Sequence, residues 1–490
     1  MTSRTTPPVI AIIGTGIGGL AAALRLAHAG ARVTVFEAQP APGGKMRTIP
    51  SAAGPIDAGP TVLTMRSVFD DLFAAAGLQL DDYVTLTPLD TLARHYWPDG
   101  TMLDLMADPD DSLDQVTDVF GPRAADEVRG FSARAARLFD AFESPMMKTA
   151  SPHLAAMAGR VMRQPGLALD MAPHLSLAGL VRRSFGDPRL AQLFARYATY
   201  VGGAPQQSPA LLSLIWAAEA RGVWTVTGGM HQLAVTLARL AQEAGARFHY
   251  NTPVHRLAAQ GGRVARLEYT GGTLDVDAVL FNGDPQAIAQ GLLGAAPRPT
   301  VRPDSIRPRS LSAHVASFAA TPRGLPLAHH TVFFADTPNT EFDDIAKGRT
   351  PVDATLYLCA QDHGHVAADA LHRFEIIRNA PPLPTDKKED DQCKTMMFDR
   401  MRQFGLTFSP GPVTITGPQE FATLFPASDG ALYGRSPQGT MAAFKRPTAR
   451  TTLPGLYLCG GGAHPGAGVP MAALSGQHAA EAMKHDLSLT

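Results

Sequence analysis

The sequence predicts an α/β fold with a Rossmann-like parallel sheet, and three stretches of the 490-residue chain carry that prediction. Residues 9–38 read as strand, glycine turn, helix and strand. Residues 226–257 read as glycine turn, amphipathic helix and strand. Residues 453–483 run from a short apolar strand through a glycine-dense loop into a helix. Strands alternating with helical patterns point to βαβ units and a parallel sheet.

The first stretch, "VIAIIGTGIGGLAAALRLAHAGARVTVFEA", has a single charge, Arg25, between Val9 and Ala27. A secretion signal would need a basic start and a small-residue cleavage site, and only Arg4 precedes the run. A spanning helix would not hold Gly14, Gly16, Gly18 and Gly19 so close together. Val9–Ile13 is therefore expected to be a short buried strand, Leu20–Ala29 a helix ended by Gly30, and Arg32–Ala38 the next strand. Gly14, Gly16 and Gly19 have GxGxxG spacing. The first glycine permits a tight turn, the second lets the backbone approach a pyrophosphate, and the third allows close helix–strand packing. The helix start offers free N–H groups to phosphates, and Glu37 stands where an acid accepts from a ribose diol. Together these predict a dinucleotide site.

Lys and Arg total 43 against 44 Asp and Glu, a net charge of −1, which gives no electrostatic case for a nucleic-acid partner. Gly (46) and Pro (40) are abundant, as a fold rich in tight turns and backbone–ligand contacts requires. Cys359, Cys393 and Cys459 are far apart and form no metal-ligand or disulfide spacing, so no metal is expected and a reducing cytoplasm is.

The residues after Glu37 bear on which dinucleotide is held. Gly43-Gly44-Lys45 could lie over the pyrophosphate of an extended cofactor, and "GPIDAGPTVLT" (54–64) follows, although by itself it reads as an ordinary Pro/Gly loop. In the third stretch Pro470 suits a first helical turn, and that helix start could aim its N–H groups at an electron-rich flavin edge.

On "GTGIGGL", "EAQPAPGGK", "DAGPT", "YATYVGGAP", "GGMHQLAVTLARLAQEAGA" and above all "LYLCGGGAHPGAGVP", the chain resembles the bacterial FAD-dependent carotenoid desaturases of the phytoene-desaturase type, within the amine-oxidase-like flavoproteins. The resemblance runs nearly end to end. "RGVWTVTGGMHQLA" and "GALYGRSPQG" look more like the 1-hydroxycarotenoid 3,4-desaturases (hydroxyneurosporene desaturases) of purple photosynthetic bacteria; Trp224 marks the departure from phytoene members. The resemblance implies FAD held by Gly14, Gly16, Gly18 and Gly19 at the pyrophosphate, Glu37 at the ribose, and Gly44 and Lys45 beside the phosphates. It further implies the Val254 backbone at the adenine, and Gly462, Gly468, Val469 and Met471 along the flavin and ribityl chain. It implies an acyclic carotenoid substrate, and oxygen or a quinone as acceptor. The expected reaction is desaturation by hydride transfer to flavin N5. Phytoene desaturase, another amine-oxidase-like flavin oxidase, and a flavin-free carrier of prenylated proteins are the alternatives. The intact glycine motif, Glu37 and the HPGAG loop argue against the carrier.

The glycine clusters imply a discontinuous FAD domain at about 1–90, 221–300 and 426–490, with 91–220 and 301–425 as the substrate region. "ATLYLCA" and "FEIIRNAPPLP" resemble the family's substrate-side mixed sheet, and the charged run 384–394 reads as a solvated loop. Residues 141–185 are Met-, Leu- and Ala-rich in broken helical pieces. From Pro145 to Arg183 they carry Lys148, Arg160, Arg163, Arg182 and Arg183 against Asp170. No piece is long enough to span a bilayer. A basic, apolar helical surface suits the membrane interface, though a core subdomain with a solvated basic face reads equally well. The first option makes the protein a cytoplasmic, peripherally membrane-associated enzyme.

No strong catalytic dyad is visible, and none is required. A C4 hydrogen allylic to a polyene leaves as hydride with the charge spread over the chain, so a weak base suffices at C3. His464, in "GAHPGAG", is the candidate catalytic residue, as base or positioning donor, or else it fixes its loop; Arg66 and His231 are weaker candidates. Cys459 reads as a buried strand residue. Trp224, Arg196 and Tyr197 are candidates for recognising a substrate hydroxyl.

Overall fold

A computed structural model describes residues 6–367, 369–384 and 390–489. β1 (Val9–Ile13) and β2 (Arg32–Phe36) flank α1 (Ile17–His28). β-Branched and aromatic residues form both strands, as a sheet buried on two faces demands. The parallel sheet has the order Leu456–Leu458, Ala278–Phe281, β1, β2, Arg247–His249. In register, Ile12 of β1 stands between Val35 and Leu280. Three segments distant in sequence thus build one sheet. α1 begins three residues before the expected Leu20, because Ile17 and the two glycines after it already adopt helical geometry. β2 stops at Phe36, one residue before Glu37.

A second, seven-stranded sheet has the order Thr407–Thr416, Ser312–Arg323, His372–Ala380, Leu356–Ala360, His330–Phe333, Thr91–Tyr96, Met102–Met106. It is mixed: His330–Phe333 runs parallel to Thr91–Tyr96 and the other pairs are antiparallel. Both "ATLYLCA" and "FEIIRNA" contribute strands to it. The charged run departs from the expected loop. Residues 385–389 lie outside the described residues, and from Asp390 the chain is helical to Gln403. Asp390 and Asp391 favour a helix N-terminus, while Cys393, Met397 and Met401, spaced by four, are fully buried.

The helical region includes Pro122–Phe142, Leu154–Arg163, Pro165–Met171, Leu177–Ser184 and Pro188–Ala195. Its core gathers Phe131, Phe185, Phe194 and Trp216, with Phe131 and Phe194 centroids 4.8 Å apart. No helix among the described residues is long and apolar enough to cross a membrane.

Candidate active site

The glycine turn works through close approach. Gly14 has φ +96°, and its N–H donates to Phe36 O at 2.8 Å. A Cβ on Gly19 would overlap Gly14 O, so Gly19 serves packing and does not line the cavity, whereas Gly14, Gly16 and Gly18 do. Gly18 also packs on the C-terminal helix Val469–Leu487: a Cβ there would lie 2.8 Å from Ala472 O. Gly16 bridges to Gly43, and Gly44 stacks on Gly16, so the two glycine turns form one surface.

Glu37 is 7 % exposed. One of its oxygens accepts from Thr15 N at 2.7 Å and Thr15 Oγ1 at 2.6 Å, and the other from Gln39 N at 2.9 Å. The carboxylate is thereby aimed at the cavity edge with lone pairs to spare. Val254 opens the strand Val254–Gln260 and lines the same space. Gly462, Gly468, Val469 and Met471 line it from the C-terminal loop.

Sequence reasoning missed the residue that joins these loops. Asn282, at the end of strand Ala278–Phe281, donates to Gly14 O at 3.2 Å and Gly16 O at 3.1 Å and accepts from Cys459 Sγ at 3.3 Å. Its visible signal is "VLFNGDP", a polar pair closing an apolar strand. Asp57 of "DAGPT" was equally cryptic: it accepts from Met230 N at 2.6 Å and His231 N at 3.1 Å, capping the helix His231–Glu243.

Positive charge gathers nearby. Lys45 has accessible surface, but this faces the cavity, and Nζ donates to Leu432 O. Burial brings its ammonium down to about 8, with Asp284 opposing and Arg309 and Arg446 reinforcing the shift. Arg446, lowered to about 10 chiefly by burial, donates to Gly461 O at 2.8 Å and Arg435 O at 2.7 Å. Asp284 pairs with Arg309.

His464 is 4 % exposed, and its Nε2 lies 2.8 Å from Thr149 O. A carbonyl only accepts, so Nε2 carries the proton. Burial lowers this imidazole to about 4, leaving it neutral. Cys459 is fully buried. His231 Nε2 meets Pro42 O at 2.9 Å, and Arg66 pairs with Asp81 at 2.5 Å and Asp70 at 3.4 Å, outside the cavity lining. Of the three candidates for hydroxyl recognition, Arg196 lines the cavity while Trp224 and Tyr197 do not.

The cavity is about 1880 Å³, well above the ~300–1,000 Å³ of a typical ligand pocket. It extends from the glycine turns past Phe139, Phe142 and Ile215 to Leu154, Met157 and Met162 of the helical region. Across it, the seven-stranded sheet presents Tyr357, Glu375 and Ile377. Both Glu375 oxygens are buried and meet no donor among the described residues, and burial pushes the carboxyl well up.

The family model for flavin-containing amine oxidoreductases matches residues 17–362. The chain belongs to this family. FAD is therefore its cofactor, and the site fits it: side-chain-free backbone at Gly14, Gly16 and Gly44, the start of α1 and the Glu37 carboxylate are the donor and acceptor set that a dinucleotide needs. The flavoprotein is 54 % identical to the hydroxyneurosporene desaturase of Cereibacter sphaeroides over 490 residues, 99 % of each chain. It is 48 % identical to that of Rhodobacter capsulatus, covering 97 % of this chain and 98 % of the relative. The oxidoreductase of Methanosarcina mazei shares the fold, with a TM-score of 0.65 at 15 % identity over 96 % of this chain and 100 % of that one.

Proposed function

We propose that the flavoprotein forms the C3–C4 double bond of an acyclic 1-hydroxycarotenoid of the 1-hydroxyneurosporene type, in carotenoid biosynthesis, with oxygen or a quinone as final electron acceptor. The observation that carries this reading is one continuous cavity with glycine turns and Glu37 at one end and an apolar wall at the other. Its volume accommodates a dinucleotide together with a long polyene.

In this reading, Gly14, Gly16 and Gly18 receive the pyrophosphate, Gly44 and Lys45 lie beside it, Glu37 holds the ribose and Val254 the adenine. Gly462, Gly468, Val469 and Met471 follow the flavin. Residues 1–90, 221–300 and 426–490 form the FAD domain, of which 1–5 and 490 lie outside the described residues. Bound FAD supplies the hydride acceptor. The chain's own part is to hold the polyene along Phe142, Met157 and Ile215, exclude water and aim the C4–H bond. His464 acts by tying the C-terminal loop to Thr149; its committed N–H and low basicity suit positioning.

The mouth supports membrane docking. Leu154 (51 % exposed) and Met162 (77 %) face both solvent and cavity, Leu169 on the next helix is 82 % exposed, and Arg163 on the first of these helices and Arg182 and Arg183 on Leu177–Ser184 are exposed as well. A membrane-dissolved substrate could pass in without crossing water.

The test is incubation of the FAD-loaded enzyme with liposomes holding 1-hydroxyneurosporene or phytoene. A red-shifted product from the hydroxylated polyene is expected; conversion of phytoene alone would overturn the assignment.

A further inference from the structure

One polar cluster interrupts the apolar wall. Arg196 opens the 3-10 segment Arg196–Val201 and lines the cavity with Tyr200. Its Nη2 donates to Tyr200 OH at 3.2 Å, and its guanidinium lies 5.1 Å from the Tyr200 ring centroid and 5.8 Å from that of Tyr197. Among the described residues its side chain has Tyr200 OH as hydrogen-bond partner and no carboxylate, and its buried Nε meets no acceptor. The balancing charge is one residue removed. Glu219, 3 % exposed, accepts from Tyr197 OH at 2.7 Å and Tyr200 OH at 2.5 Å. A guanidinium carries five N–H donors, so most of its capacity is unspent at the wall of a greasy cavity. A buried donor without a partner is costly, and a wholly apolar ligand would leave these unpaired.

The cluster borders the cofactor end. Tyr357, also in the lining, meets Thr61 Oγ1 at 2.7 Å and His330 Nδ1 at 2.6 Å. Arg196 lies near enough to His330 to add to the lowering that burial imposes on it, and Tyr200 near enough to Tyr357 to add to its upward shift. Thr61 belongs to "DAGPT", whose Gly59 packs against Lys45 O with no room for a Cβ. In a 1-hydroxycarotenoid the alcohol oxygen is three bonds from C3, so whatever reads it has to stand beside the bond being oxidised.

We propose that Arg196 and Tyr200 form the subsite for the tertiary alcohol of the substrate, with Glu219 as remote counter-charge. The inference rests on the desaturase reading above. The alcohol oxygen accepts from Arg196, and its O–H donates to the remaining lone pair of Tyr200, whose own proton is held by Glu219. A site built to hydrogen-bond a hydroxyl rejects the analogue lacking it, by ~10⁴–10⁵-fold in favourable cases.

The test compares kcat/KM on liposome-borne 1-hydroxyneurosporene and 1,2-dihydroneurosporene, the same chain with hydrogen in place of the alcohol. The wild type should prefer the hydroxylated substrate by at least about 100-fold. In R196M with FAD bound, that ratio should fall to within about threefold, chiefly through loss on the hydroxylated substrate, and Y200F should fall between. Should R196M fail to load FAD, Y200F and R196K, which keeps a cation without the fork, decide by the same ratio. A flavin-loaded variant series that keeps the wild-type ratio, or loses both substrates equally, overturns the proposal. A wild type that converts both polyenes equally overturns it while leaving the desaturase reading intact; a wild type that converts neither overturns that reading first.

Discussion

At the scale of single residues, burial governs the ionisable groups. His464 and His329 are lowered to about 4 and His95 to about 3, in each case chiefly by burial. An unfolded histidine titrates near ~6.5, so below that pH the unfolded chain binds more protons than the folded one. The stabilisation from these neutral imidazoles is complete above ~6.5 and is lost as pH falls toward the folded values. The melting temperature should drop between pH 7.5 and pH 5, and H464Q, which can still donate to Thr149 O, should flatten part of that slope. An unchanged melting temperature across the interval would contradict the assignment. His464 was legible as a special residue because it stands alone in a glycine loop. Its partner Thr149 was not, being 315 positions away.

At the scale of elements, α1 and the C-terminal helix Val469–Leu487 meet through glycine. A Cβ on Gly476 would overlap Gly18 O. G476A should therefore cost ~1–3 kcal/mol by overpacking and weaken FAD retention, because Gly18 also lines the cavity. G130A is the control: Gly130 lies in the helix Pro122–Phe142 with open space around its Cβ position, and alanine there should stabilise by ~0.5–1 kcal/mol. Urea midpoints for the two variants give the comparison, and a neutral G476A would remove the close-packing account. Strand–turn–helix at 9–38 could be read because its signals are local: β-branched strand, glycine spacing, Ala/Leu helix. The helix from Asp390 escaped because its polar first turn resembles a loop, and only the fully buried Met397 and Met401 disclose what its other face packs against.

At the scale of the whole molecule, the cavity links a glycine-lined end to an exposed apolar mouth with basic residues around it. If this mouth rests on a membrane, replacing Arg160, Arg163, Arg182 and Arg183 with Glu should abolish sedimentation with anionic liposomes, since each basic residue near such a surface contributes ~1 kcal/mol. The wild-type interaction should also weaken with salt, and normal liposome binding by the fourfold variant would rule out this docking face. The pairs His464–Thr149 and His478–Met147, at 2.8 and 2.9 Å, tie the C-terminal loop and helix to the segment leading to that mouth. By itself the sequence determined the dinucleotide turn, the acid after the second strand and the presence of two further glycine clusters, because short-range backbone sterics and periodicity are written within a few residues. Only the tertiary structure decided that Asn282 clasps Gly14, Gly16 and Cys459, and that Arg196 reaches the cavity while Tyr197 does not. It likewise decided that Lys45 turns to Leu432. Those outcomes depend on which distant segments are packed side by side, and that is settled by the summed burial of the whole chain, which no local pattern encodes.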